Sequence, residues 1–102
     1  MEYTMSKSSD QEKTLHCSGQ FTFSDNQKFR TILKLIEDRT LSTLTLDFSD
    51  VLFIDSSGLG MLLLLRDECT NRNISFTLSR PQGQVEKIFL ISRFDEIFTI
   101  KN

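Results

Sequence analysis

Tryptophan is absent from this sequence, and histidine, proline and tyrosine occur once each. The single histidine, His16, limits the chemistry. A Ser/His/Asp device or a multi-histidine zinc site would have to be built on that one imidazole, which lies in a strand-like run, so both are disfavoured. The two cysteines, Cys17 and Cys69, show neither CxxC nor metal-ligand spacing and read as reduced, partly buried thiols. No run of either charge is long enough to make a patch. Twelve basic against fourteen acidic residues leave a formal charge of −2, which disfavours nucleic acid, a ligand bound mainly through clustered Lys and Arg. Long apolar runs are missing too. The longest, Met61 to Leu65, is far too short to span a bilayer. The opening MEYTMSKSSD lacks the apolar centre of a signal peptide, so no membrane association and a cytoplasmic location are expected.

Phosphate loops and hydrolase elbows are lacking as well. Gly58-Leu59-Gly60 opens like a dinucleotide fingerprint, but Leu63 stands where the third glycine is needed, and no Walker lysine follows any glycine-rich loop. Ile54 occupies the first glycine position of a GxSxG elbow around Ser56. No cofactor, no metal and no enzyme activity are therefore expected.

What is present is an ordinary globular composition with nine phenylalanines, in 102 residues, enough for one domain and one core. Residues 1–12 carry little pattern and are expected to be loosely ordered, with the domain occupying 13–102. Leu15, Cys17 and Gly19 alternate with polar residues, Phe21 and Phe23 continue the alternation, and a half-buried strand follows. Ser24 stands three residues before Gln27, a capping-box spacing, and Phe29, Ile32, Leu33 and Ile36 recur at helical intervals, which predicts a helix over Asp25–Arg39. Leu44, Leu46 and Phe48 alternate in a second strand ending near Ser49. A short apolar run, Val51 to Ile54, leads to Asp55-Ser56-Ser57-Gly58 and a leucine-rich helix over about Ser57–Asn71, with Asn73 marking its end. Ile74, Phe76 and Leu78 form a third strand. Pro81 precedes a shorter helix carrying Val85, Ile88 and Phe89, and Phe94 to Ile100 close the chain as an edge strand. Strands and helices in alternation define an α/β layer fold.

The Asp55–Gly60 turn has a physical use. Ser56 and Ser57 lie at a predicted helix N-terminus, where free backbone N–H groups and the positive end of the dipole tolerate an anion. A phosphate on either serine adds about −1.5 to −2 charges beside Asp55. The bland alternative is that both serines only cap the helix. Gly58 and Gly60 keep the first turn free of bulk, so that a partner can approach the backbone. At 100° per residue, Met61, Leu62, Leu65 and Cys69 share the core side. Leu59 and Leu63 fall with Asp67, Thr70 and Asn71, either as a partner-binding patch or as packing for another helix.

The run from Leu46 to Gly60, with its Asp55-Ser56-Ser57-Gly58-Leu59-Gly60 turn after a strand and a short hydrophobic approach, resembles the signature of the STAS family. The likeness in layout extends from about Lys13 to the C-terminus. It implies a mixed sheet of four to five strands with amphipathic helices packed mainly on one face. It also implies a phosphoacceptor at Ser56, with Ser57 as the alternative and otherwise the helix cap. Asp55 would orient the hydroxyl, complete the partner's recognition site or serve as a second cap. The partner surface would join this turn and Leu63 to the Gly19–Asp25 loop, including Gln20, Phe21 and Phe23. Many family members carry an acidic residue, a leucine and an aspartate in that loop; Gln20-Phe21-Thr22-Phe23 departs from this. The implied partners are a serine kinase that is also an anti-sigma factor, and a resetting serine phosphatase. Two other outputs are implied for the same family: control of biofilm or exopolysaccharide production, and a structural subunit of a transporter.

Overall fold

The computed structural model describes residues 1–102. The strands are β1 (Glu2–Ser9), β2 (Glu12–Phe21), β3 (Thr43–Ile54), β4 (Ser75–Ser79) and β5 (Thr99–Lys101). The helices are α1 (Asn26–Leu35), α2 (Ser56–Asn71), α3 (Gly83–Ile91) and the single turn α4 (Phe94–Ile97). The five strands form one sheet in chain order. β1 runs antiparallel to β2, and every later neighbour is parallel. Each parallel step therefore moves the same way across the sheet, and right-handed crossovers then place every helix on one face. The expected mixed sheet with helices on one face is what forms.

The segment 1–12 is the first correction. Residues 2–9 are not loose: they are β1, joined to β2 by a tight turn in which the Gln11 N–H donates to Ser9 Oγ (3.2 Å). Tyr3 hydrogen-bonds Thr31 of α1 (2.5 Å), and Lys28 Nζ donates to the Met1 carbonyl (2.7 Å), so this strand is tied to the domain by more than its ladder. The boundary expected at Lys13 does not exist. A second correction concerns β3. The segments ending near Ser49 and beginning at Val51 are one strand, because β3 carries two extra residues relative to β2 between Asp47 and Phe53. Each bulge breaks the period of two and hides the continuity.

Helix ends follow local chemistry. A 3-10 turn, Phe23–Asp25, precedes α1, and Asp25 Oδ2 accepts from the Thr22 N–H (2.8 Å), so the entry is built on Thr22 and Asp25, not on Ser24 and Gln27. α1 stops at Leu35, short of Arg39, where the Asp38 carboxylate captures the N–H and hydroxyl of Thr40 and closes a turn. α2 ends in a Schellman motif: Asn73 is left-handed (φ 59°), its N–H reaches Thr70 O, and the Ile74 N–H reaches Cys69 O (2.8 Å). At the C-terminus the expected edge strand shortens to β5, because Phe94 to Ile97 turn as a helix first.

The absence of tryptophan is made good by phenylalanine. Phe21, Phe48, Phe89, Phe94, Phe98 and Phe76 touch in series, with ring centroids 4.7–6.1 Å apart, through the layer between sheet and helices. Such contacts contribute about 0.5–1.5 kcal/mol each beyond area burial. Leu15, Leu44, Leu46, Leu62, Leu65 and Leu78 complete the core. The other sheet face carries no helix and is polar. Registered across it are Ser6, Thr14, Thr45, Thr77 and Thr99 in one row, and Thr4, His16, Asp47, Ser79 and Lys101 in the next.

Candidate functional site

β3 outruns β4, whose pairing with it ends at Asp47. The free edge at Ile54 is satisfied by a side chain instead: Gln84 of α3 accepts from the Ile54 N–H and donates to its carbonyl, both at 3.1 Å. This fixes the point where the chain leaves the sheet. The Asp55 N–H then donates to Phe21 O (3.2 Å), which joins the turn to the end of β2.

Asp55 is the N-cap of α2. Its Oδ1 accepts from the Gly58 N–H (2.8 Å), and its Oδ2 accepts from the Phe23 N–H (3.3 Å). The carboxylate is thus spent on backbone donors of two segments, the new helix and the loop after β2. It makes no hydrogen bond to a serine hydroxyl, so of the roles expected for it, capping is the one the geometry shows. The cap expected at Ser57 is corrected accordingly: Ser57 is the second residue of the helix. Ser56 is the first and is exposed; Ser57 is half-buried; neither hydroxyl has a hydrogen-bond partner. As the first two helical residues, their backbone N–H groups have no partner within the helix.

The two glycines differ in kind. A Cβ on Gly58 would lie 2.5 Å from Phe21 O, 2.6 Å from Ile54 Cγ1 and 2.9 Å from Phe21 Cδ1, so this glycine lets α2 sit directly on the strand ends. It serves the protein's own packing, not an incoming partner. Gly60 has open space where a Cβ would go.

The turn meets the Gly19–Asp25 loop through the hydrogen bonds of Asp55 to Phe21 and Phe23. Phe21 is fully buried and lies in the core, because β2 continues through it; it offers nothing to a partner. Phe23, past the strand end, is thrown outward and is 61% exposed, and Gln20 is exposed. Leu63 is exposed, whereas Leu59 packs half-buried against the core. Three residues of the surface went unnoticed in the sequence. Leu52 and Phe53, in the apolar approach, are exposed while Val51 and Ile54 are buried. Leu64 is 49% exposed and lines a groove of about 460 Å³ between α1 and α2, together with Phe23, Arg30, Leu33, Ser57 and Met61. Helical spacing puts Ser57 on this groove side of α2, and Ser56 with Leu59 and Leu63 on the other.

The thiols are not part of this site. Burial pushes Cys17 up to about 12 and Cys69 up to about 11, so both are protonated and inert. No cluster of three His, Cys, Asp or Glu side chains is placed to hold a metal ion, and no helix is long and apolar enough to cross a membrane.

Comparison with known proteins agrees with this geometry. The STAS domain family model matches residues 3–102. A STAS-domain containing protein of Pseudomonas aeruginosa is 37% identical over 90 residues, 88% of each chain. Among solved structures, an anti-sigma factor antagonist from Mycobacterium paratuberculosis superposes with a TM-score of 0.82 at 18% identity, covering 98% of this chain and 86% of that one. The Bacillus cell fate determinant SpoIIAA in its phosphorylated form gives 0.76 at 19% identity, covering 99% and 92%. From the family match and the 37%-identical relative, the chain belongs to the STAS domain family, and it has the fold of the solved anti-sigma-factor antagonists.

Proposed function

We propose that this protein is a phosphorylation-switched cytoplasmic regulator whose unphosphorylated form binds a serine kinase of the anti-sigma-factor type, and whose phosphoacceptor is Ser56. The observation that carries this reading is the state of Ser56: exposed, first in a 16-residue helix, with its hydroxyl uncommitted, while Asp55 is fully engaged in holding the turn. A kinase meets a free hydroxyl on a rigid backbone. Phe23, Leu52, Phe53 and Leu63 supply exposed apolar surface around it, and Ser57, in the groove, is the alternative acceptor.

Phosphate at Ser56 gains about 0.3–1 kcal/mol from the helix dipole. It loses roughly 1.5–2 kcal/mol to repulsion by the Asp55 carboxylate through water. The net cost, about 1 kcal/mol, is comparable to the value of one helix cap, and the added charge is read by the partner. A coupling of about 1–3 kcal/mol changes partner affinity about 5- to 150-fold. A serine phosphatase resets the switch.

The test is capture of the partner kinase by Ser56→Ala and Ser56→Asp proteins. The alanine variant is expected to bind as the unphosphorylated protein does, and the aspartate variant to bind at least about fivefold more weakly. Equal affinity in both removes the switch.

A further inference from the structure

The helix-free sheet face holds a second cluster of chemistry-bearing side chains. Ser6 of β1, His16 of β2 and Asp47 of β3 are hydrogen-bonded in series across three neighbouring strands. His16 Nδ1 is 2.9 Å from Asp47 Oδ2, and His16 Nε2 is 3.0 Å from Ser6 Oγ. Burial alone would raise the carboxyl of Asp47, but the Ser49 N–H, His16 and Arg80 outweigh it and hold this group down to about 2. Asp47 is therefore ionised and can only accept. A neutral imidazole beside it carries its proton on Nδ1, which leaves Nε2 as a lone pair to which the Ser6 hydroxyl donates.

A nucleophile, a base and an orienting carboxylate at these distances are the parts of an activated serine. Both Ser6 and the imidazole are open to solvent, His16 at 44%, so a small reactive molecule reaches the hydroxyl directly. Nothing in the Asp55–Gly60 turn takes part. Ser56 and Ser57, with no imidazole near them, lack the base that Ser6 has.

We propose that Ser6 is a second covalent-modification site, a serine made nucleophilic by His16 and oriented through Asp47, which accepts the acyl group of an activated acyl donor. Ser6 Oγ forms a bond to the acyl carbonyl carbon as its proton passes to His16 Nε2, and Asp47 stabilises the imidazolium. The bond from the acyl carbon to the leaving group breaks, the leaving group departs with that electron pair, and it takes the proton from His16. The products are O-acyl-Ser6 and the protonated leaving group. The event occurs once per chain, so the protein is modified and does not turn over. O-acyl-Ser6 no longer donates to Nε2 and adds bulk to the open face, an input separate from Ser56.

The probe is p-nitrophenyl acetate at neutral pH, followed by peptide mapping by mass spectrometry. Hydroxylamine removes esters and spares amides, which separates Ser6 from the Met1 amino group and Lys7 in the same peptide. Ser56, exposed and without a base, is the internal reference. The expected result is an acetyl ester on Ser6 accumulating on the order of 100-fold faster than on Ser56, the lower end of general-base assistance because the imidazole is hydrated. It should be absent in Ser6→Ala and slowed to the Ser56 rate in His16→Gln, with both variants folded by circular dichroism. Acetylation of Ser6 no faster than of Ser56 in the wild-type protein overturns the proposal without need of any variant. So does an unchanged rate in a folded His16→Gln protein.

Discussion

Replacing Gly58 by alanine puts a methyl group into occupied space. Two of the three obstructing atoms belong to Phe21, and one of them, its carbonyl oxygen at 2.5 Å, is backbone that accepts the Asp55 N–H. Relief by retreat of that carbonyl would lengthen a hydrogen bond with a net value of about 1 kcal/mol. Relief by rotation of Phe21 would disturb its contact with Phe48. Overpacking of this kind costs about 1–3 kcal/mol even after the neighbours adjust. Against it stands the gain in helix propensity, at most about 1 kcal/mol and smaller in the first turn. The balance is a loss of about 1–2 kcal/mol, or about 5–15 °C in Tm for a domain of this size. Gly60→Ala is the built-in control: with nothing within 4 Å of the new methyl, it keeps the propensity gain and should raise stability by up to about 1 kcal/mol. Urea denaturation followed by circular dichroism reads both. A Gly58→Ala midpoint at or above wild type would refute the packing argument.

Asp55→Ala removes the caps on the Gly58 and Phe23 N–H groups and should cost about 1–2 kcal/mol, most of it recovered by Asp55→Asn, as urea midpoints will show. Phe21→Ala should cost about 3–5 kcal/mol, whereas Phe23→Ala should change stability by no more than about 0.5 kcal/mol and weaken partner capture. Asp47 has a folded pKa of about 2, below the ordinary carboxylate value. Its contribution to stability is therefore complete above about pH 5 and is lost as pH falls from about 4 through 2, about 2 kcal/mol in all. Asp25 is also lowered: its hydrogen bonds to the Met1 amino group and the Thr22 N–H outweigh its burial, so it adds a loss of the same sign. The readout is the smaller acid loss of Asp47→Asn compared with wild type.

The β3–turn–α2 unit was legible in the sequence because strong alternation runs into a turn with its own chemistry. β1 was not: as an edge strand it buries almost nothing, and only Tyr3 and Met5 mark its inner face. The bulges in β3 split its alternation into two apparent segments. Asp55, Ser56 and Ser57 are all competent caps, and only the path of the chain decides among them. Phe21 and Phe23 share a parity that implies one face, but the strand ends between them and the 3-10 turn sends the second outward. Leu64 gains its meaning from α1, a helix remote in sequence. Ser6, His16 and Asp47 have no telling spacing, because register across three strands assembles them; a lone histidine gave no hint of it.

The central claim is that Ser56 carries a regulatory phosphate. It is tested most directly by isolating the protein from its own cells under two growth conditions and mapping phosphorylation by mass spectrometry, beside a Ser56→Ala strain. Phosphate is expected on Ser56, with an occupancy that changes between conditions, and none at that position in the variant. A chain that stays unmodified at Ser56 while its pathway is active would contradict it.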